Sequence, residues 1–153
     1  MDEVPKFAAD RMLARLARWL RLLGADVLFD PTLGGDKLLR RAREEGRVTL
    51  TRDKRLRTAS DVLYVESNLI RDQLREVMDR FPFDPRPRAF TRCSRCNEPL
   101  AEVGREAVAR RVPPFVYASH DHFALCPRCG RIYWDATHLE RMRRELAAIG
   151  LDG

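Results

Sequence analysis

Two hydrophobic rhythms alternate along the first eighty residues. Short apolar runs at Val4 to Ala9, Ala25 to Phe29, Val48 to Leu50 and Val62 to Val65 have the length and β-branched content of buried strands. Between them the period lengthens to that of a helix. Leu13, Leu16, Leu20 and Leu23 recur on one face while Arg11, Arg15 and Arg18 fall on the other, and Gly24 supplies the stop. Lys37 to Glu45 repeats the pattern with Leu38, Leu39 and Ala42 inward and Gly46 as its stop, and Asn68 to Phe81 does so with Leu69, Ile70, Leu74, Val77 and Met78. Lys54 to Ala59 reads as a short helix or loop. Strands alternating with helices predict an α/β fold with a parallel sheet and right-handed crossovers.

Pro82, Pro85 and Pro87, set among Arg86 and Arg88, break this rhythm and mark a linker. We expect an α/β unit over residues 1–89 and a second, smaller unit over residues 90–153. The second unit holds all four cysteines, as Cys93/Cys96 and Cys126/Cys129 with 29 residues between the pairs. Each pair is followed by a residue that tolerates positive φ, Asn97 or Gly130, as a metal knuckle needs where the chain turns back. Four thiols in this spacing predict a structural zinc ion. Val103 to Val116 should then give ribbon strands between the knuckles, and Leu139 to Ile149 a closing amphipathic helix. Ile132-Tyr133-Trp134 reads as the ribbon's own apolar cover, with base stacking as the alternative. His120 and His122 flank Asp121 in an expected solvated turn, with a ligand or RNA-contacting role as the other possibility.

Charge narrows the function classes. Of 29 basic residues only Lys6, Lys37 and Lys54 are lysines, which leaves 26 arginines and a net charge of +6. Arginine's planar fork suits phosphate, so a polyanion is a plausible partner, although a solvated basic surface has the same composition. Arginines interrupt every leucine-rich stretch, so no membrane span is expected. The start Met-Asp-Glu-Val-Pro lacks a basic leader and apolar run, and with paired cysteines that read as metal ligands this predicts a cytoplasmic protein.

Within residues 1–90 there is neither histidine nor cysteine, which removes most imidazole and thiol chemistry from this unit. What it carries instead is acids at strand-to-helix junctions: Asp10, Asp36 and Asp53. Each alone is an ordinary helix cap. If the strands before Asp10 and Asp53 are neighbours, the carboxylates converge, and a bound Mg²⁺ or Mn²⁺ would offset their repulsion and serve phosphate chemistry. Asp30 before Pro31 reads as a turn former, and Asp72 as either a further site acid or a partner of its helix dipole. Arg15 and Arg18 are candidate phosphate contacts or simply a solvated helix face, and Arg52 and Lys54 flank Asp53 as further substrate-binding candidates.

Phe7-Ala-Ala-Asp10, the helix Leu13-Ala-Arg-Leu-Ala-Arg-Trp-Leu-Arg-Leu-Leu-Gly24, Thr51-Arg-Asp53 and the later Cys-x-x-Cys pairs together resemble the Mut-seven C-terminal RNase domain family. The resemblance implies a PIN-like nuclease fold fused to a zinc ribbon, and a metal-dependent ribonuclease whose acidic site maps onto Asp10, Asp36 and Asp53, with Asp72 as a further member. Ala14 departs from the pattern, which calls for a glycine there, and His138 matches it. The expected substrate is RNA, single-stranded or structured. A non-catalytic RNA-binding or ribonucleoprotein adaptor of the same fold is the alternative, and a zinc-ribbon module that docks a protein is a third.

Overall fold

A computed structural model describes residues 4–85, 91–134, 144 and 147. Four short strands, β1 (Phe7–Ala9), β2 (Val27–Phe29), β3 (Val48–Thr51) and β4 (Val62–Tyr64), form one parallel sheet in the order β2-β1-β3-β4. The expectation of a parallel α/β sheet holds. Helices α1 (Ala14–Leu22), α2 (Gly35–Glu44) and α3 (Ile70–Arg80) alternate with the strands. Side chains alternate across the pleat. Phe7, Ala9 and Leu50 therefore pack with Leu16, Leu20 and Leu74 in the main core, whereas Ala8 faces Leu38 and Ala42 of α2. The sheet is thus covered on both faces, as a parallel sheet requires.

The helix boundaries differ from the periodic reading at their starts. Arg11–Leu13 is a single 3-10 turn capped by Asp10 before α1 begins, because the Asp10 side chain takes the Met12 N–H (2.8 Å). Helix α2 opens two residues early, at Gly35 with φ 52°, a left-handed value suited to glycine. The Lys54–Leu56 segment is a second 3-10 turn, capped by Asp53.

Beyond the proline-rich stretch, β5 (Ala101–Val103), β6 (Phe123–Leu125) and β7 (Ile132–Trp134) form an antiparallel sheet in that order. The expected ribbon strands over Val103 to Val116 are corrected here: after β5 the chain forms two short helices, α4 (Arg105–Val108) and α5 (Pro114–Ser119). Pro113 and Pro114 cannot donate to a ladder, and Pro114 suits the first turn of a helix. Val108 of α4, Val112 of the connection and Val116 of α5 converge in one apolar cluster and pack with Phe123. Ile132 and Trp134 pack against this same cluster, as expected of an apolar cover. The expected closing helix over Leu139 to Ile149 lies outside the described residues except for Arg144 and Ala147, and His138 also lies outside them.

The two sheets meet through a polar contact that the hydrophobic pattern does not announce. Arg21, in the last turn of α1, is buried; its Nε and Nη2 donate to Val27 O (3.0 and 2.8 Å) and its Nη1 to Ser94 O and Arg95 O (3.0 and 3.2 Å). Asn97 completes the contact by accepting the Val27 N–H (2.9 Å) and donating to Asp26 (2.7 Å). The knuckle thereby occupies polar groups on the edge strand β2 that would otherwise be open to another chain.

Candidate active site and metal centre

Strand order reverses between β1 and β3, since the chain runs from β1 to β2 on one side and returns to β3 on the other. At such a switch point the carboxyl ends of neighbouring strands leave a crevice. Asp10 follows β1 and Asp53 follows β3, so the adjacency on which convergence depended is present. Asp10 is buried, and besides capping Met12 it accepts from Thr51 Oγ1 (2.6 Å) and from the Arg52 N–H (2.9 Å). Thr51 Oγ1 in turn accepts the Asp53 N–H (2.9 Å). One hydroxyl therefore ties the two junctions together, a role the Thr-x-Asp spacing carries and the periodic reading had not assigned.

Asp36 and Asp53 line one cavity of about 460 Å³ together with Arg11, Gly34, Gly35 and Arg55. Gly34 makes room for arginine: a Cβ at this position would run into the Arg11 guanidinium. Asp53 accepts from Arg55 Nε (3.1 Å) and Nη2 (2.9 Å) and from the Arg55 backbone N–H (3.0 Å). The side-chain bonds from Arg55, with its backbone N–H next, hold the Asp53 carboxyl below its ordinary range, and Asp53 raises Arg55 in return. Asp53 is thus held as a carboxylate paired with its own arginine.

The remaining candidates stand apart from this cavity. Asp72 accepts from Ser67 Oγ (3.2 Å) at the start of α3. Arg52 Nη1 donates to the carbonyls of Val65, Glu66 and Ser67 (2.8 to 2.9 Å) and so secures the loop after β4. Arg15, Arg18 and Lys54 are exposed. Asp30 makes the expected turn, accepting from Thr32 N–H and Oγ1 (2.9 and 2.6 Å). Among the described residues, Asp10, Asp36 and Asp53 do not bring three carboxylate oxygens within 4.8 Å of one another. Asp10 already has three donors and Asp53 holds Arg55. A dication would therefore fit only where Asp53 exchanges Arg55 for it.

The cysteines do converge. The Sγ atoms of Cys93, Cys96, Cys126 and Cys129 lie within 4.8 Å of one another, with Cys93 and Cys129 at 3.8 Å. That matches the edge of about 3.8 Å in a tetrahedron with Zn–S bonds of about 2.3 Å. The knuckles are built alike. Asn97 N–H donates to Cys93 O and Gly130 N–H to Cys126 O, with φ of 68° and 77° at Asn97 and Gly130. The Cys96 N–H points at Cys93 Sγ (3.4 Å) and the Cys129 N–H at Cys126 Sγ (3.5 Å), dipoles that favour thiolate. Burial works against ionisation of Cys93, but the Tyr133 hydroxyl at 3.1 Å and the Cys96 and Arg95 N–H groups prevail and bring it down to about 7. Burial and then its sister thiols push Cys96 up to about 12. Four thiols this close do not ionise together without a cation, and the donor set suits Zn²⁺. His120 is occupied by Ser119 Oγ and Val116 O, and neither it nor His122 joins the thiol group.

The protein thus joins a parallel α/β unit, with acids at its switch point, to a ribbon whose four thiols could hold a metal ion. The chain matches the Mut7-C RNAse domain model over residues 5–146, and it belongs to that family of RNase domains. No curated protein and no solved structure matches it.

Proposed function

We propose that the chain is a Mg²⁺- or Mn²⁺-dependent ribonuclease that hydrolyses RNA phosphodiester bonds at the crevice between β1 and β3. The observation that carries this reading is the Asp10–Thr51–Asp53 linkage beside the cavity shared by Asp36, Asp53, Arg11 and Arg55. In it, Asp36 and Asp53 would hold the ion, with Asp10 behind them and Asp72 as a further acid; the ion would supply an activated water and offset charge on the phosphate. Asp10 fixes the ends of both strands through Thr51 and the Arg52 N–H, so the position of Asp53 does not depend on a loop alone. Arg11 and Arg55 attract the scissile phosphate, and a phosphate that draws Arg55 away from Asp53 frees that carboxylate. Exposed Arg15, Arg18 and Lys54 extend the basic surface. The reading assigns cleavage to residues 1–89 and zinc binding to residues 90–153, in the cytoplasm, where thiols stay reduced.

A second reading has one observation in its favour. Asp53 is paired with Arg55, an arrangement that suits a non-catalytic RNA-binding adaptor. Labelled single-stranded and hairpin RNA, incubated with purified protein in Mn²⁺, Mg²⁺ or chelator, separates the two. The nuclease cuts only with the dication and loses cutting in Asp10→Asn and Asp53→Asn. Binding without cutting under any metal supports the adaptor.

A further inference from the structure

A second cleft, of about 350 Å³, lies between α1 and the cysteine knuckles. Arg18 of α1, Arg95 of the first knuckle and Arg131 after the second all line it, with Phe29 at one wall and the small residues Ala14 and Ala17 keeping the helix side open. Among the described residues no carboxylate lines it. The three arginines are exposed, and none has an ion pair among the described residues. Guanidinium groups gathered from three separate segments repel one another, and an anion lying between them relieves that repulsion. The scaffold fixes the backbone from which two of them project. Arg95 sits within Cys93-Ser-Arg-Cys96 with its carbonyl held by Arg21, and the Arg131 carbonyl accepts the Cys126 N–H (2.9 Å).

A row of arginines leads from the acidic edge toward the cleft. Arg11 lines the Asp36–Asp53 cavity, Arg18 lines the cleft, and Arg15 stands exposed between them along the same run of helix. We infer that this cleft grips the phosphodiester backbone of single-stranded RNA next to the scissile bond, with Arg18, Arg95 and Arg131 on phosphates and Phe29 offering a face to a base. The inference rests on the RNA reading above and adds the surface that holds the strand. It gives the ribbon a direct part in substrate binding, since two of the three contacts are carried on the knuckles.

The test is fluorescence anisotropy of a labelled single-stranded RNA titrated with full-length, zinc-loaded Asp53→Asn protein across a salt series. The triple variant R18Q/R95Q/R131Q is compared with a charge-matched control, R40Q/R75Q/R110Q, whose residues are exposed and away from the cleft. Losing three phosphate contacts should reduce the magnitude of the slope of log K against log salt by about 2 in the cleft variant. The control should keep its slope. Equal slopes in the two triple variants, whether both fall or neither does, would overturn the inference. The same loss is expected on DNA of the same sequence, because phosphate is the group read; a loss confined to RNA overturns the phosphate assignment. Binding is read in a background that does not cut, so a wild-type protein that binds through the cleft yet never cleaves removes the nuclease reading alone.

Discussion

Thr49 and Thr51 lie two residues apart on the same face of β3, and the same substitution should move stability in opposite directions at the two positions. Both are fully buried. Thr51 Oγ1 donates to the Asp10 carboxylate at 2.6 Å and accepts the Asp53 N–H at 2.9 Å, whereas Thr49 Oγ1 is buried without a partner among the described residues. Valine keeps the shape and removes the hydroxyl. At Thr51 this deletes a hydrogen bond to a charged group, worth about 1.5–3 kcal/mol, and leaves a backbone N–H unpaired, so the loss should be about 3 kcal/mol. For a chain of this size that lowers the midpoint of thermal unfolding by roughly 6–12 °C. At Thr49 the same change releases an unsatisfied hydroxyl and should stabilise by about 1 kcal/mol. Urea unfolding of Thr49→Val, Thr51→Val and Thr51→Ser, with a Thr51→Val/Asp10→Asn cycle, measures both effects. Thr51→Ser should recover most of the loss, and the cycle should show a coupling of at least about 1 kcal/mol. Equal effects at the two threonines, or a coupling under about 0.5 kcal/mol, would refute the assignment of Thr51 as the tie between the acidic junctions.

Arg21→Met should cost about 2–4 kcal/mol, because it leaves the carbonyls of Val27, Ser94 and Arg95 without their donor, and limited proteolysis should then cut within residues 91–97 before the α/β unit. Burial raises Asp26, but the bonds from Arg47 and Asn97 outweigh it and its carboxyl titrates below the ordinary value of about 3.9. A carboxyl depressed in the folded state contributes stability that is present above its unfolded value and is lost as pH falls through the folded one. Acid titration followed by fluorescence of Tyr133 and Trp134 should therefore show release of the knuckle below about pH 4, and Asp26→Asn should flatten that dependence. Arg55→Ala removes the cation that competes for Asp53, so Mn²⁺ affinity read by electron paramagnetic resonance should rise roughly two- to fivefold, a small change because exposed ion pairs are weak. Chelation of zinc, or Cys96→Ser, should lower the unfolding temperature of the whole chain, since the knuckle that holds β2 is built on the thiols; unchanged melting of the α/β signal would count against that coupling.

Much of the fold was legible because it rests on local rules. Alternating strand and helix periods, glycine stops at Gly24 and Gly46, and two Cys-x-x-Cys pairs each report on a few consecutive residues, and the sheet, the helices and the thiol cluster follow them. The stretch from Val103 to Val116 departs from the strand expectation: β5 ends at Val103, helices follow, and Pro113 and Pro114 forbid a ladder there. Asp10, Asp36 and Asp53 were recognisable as junction acids; Asp10 and Asp53 cap their 3-10 turns as such acids ordinarily do, whereas Asp36 lies in the first turn of α2 behind Gly34 as its N-cap.

The sequence by itself determined which residues lie at strand ends, which thiols can share a metal, and that the surface is rich in arginine. It could not determine strand order, because parallel strands are joined by crossovers of variable reach and neighbours in the sheet need not be neighbours in the chain. Only the tertiary structure put β1 beside β3 and so joined Asp10 to Asp53 through Thr51. Only it turned Arg21 from one arginine among 26 into a buried clamp across more than seventy residues of chain. Such contacts depend on where a guanidinium or a hydroxyl ends up in space, and no periodicity along the chain encodes that position.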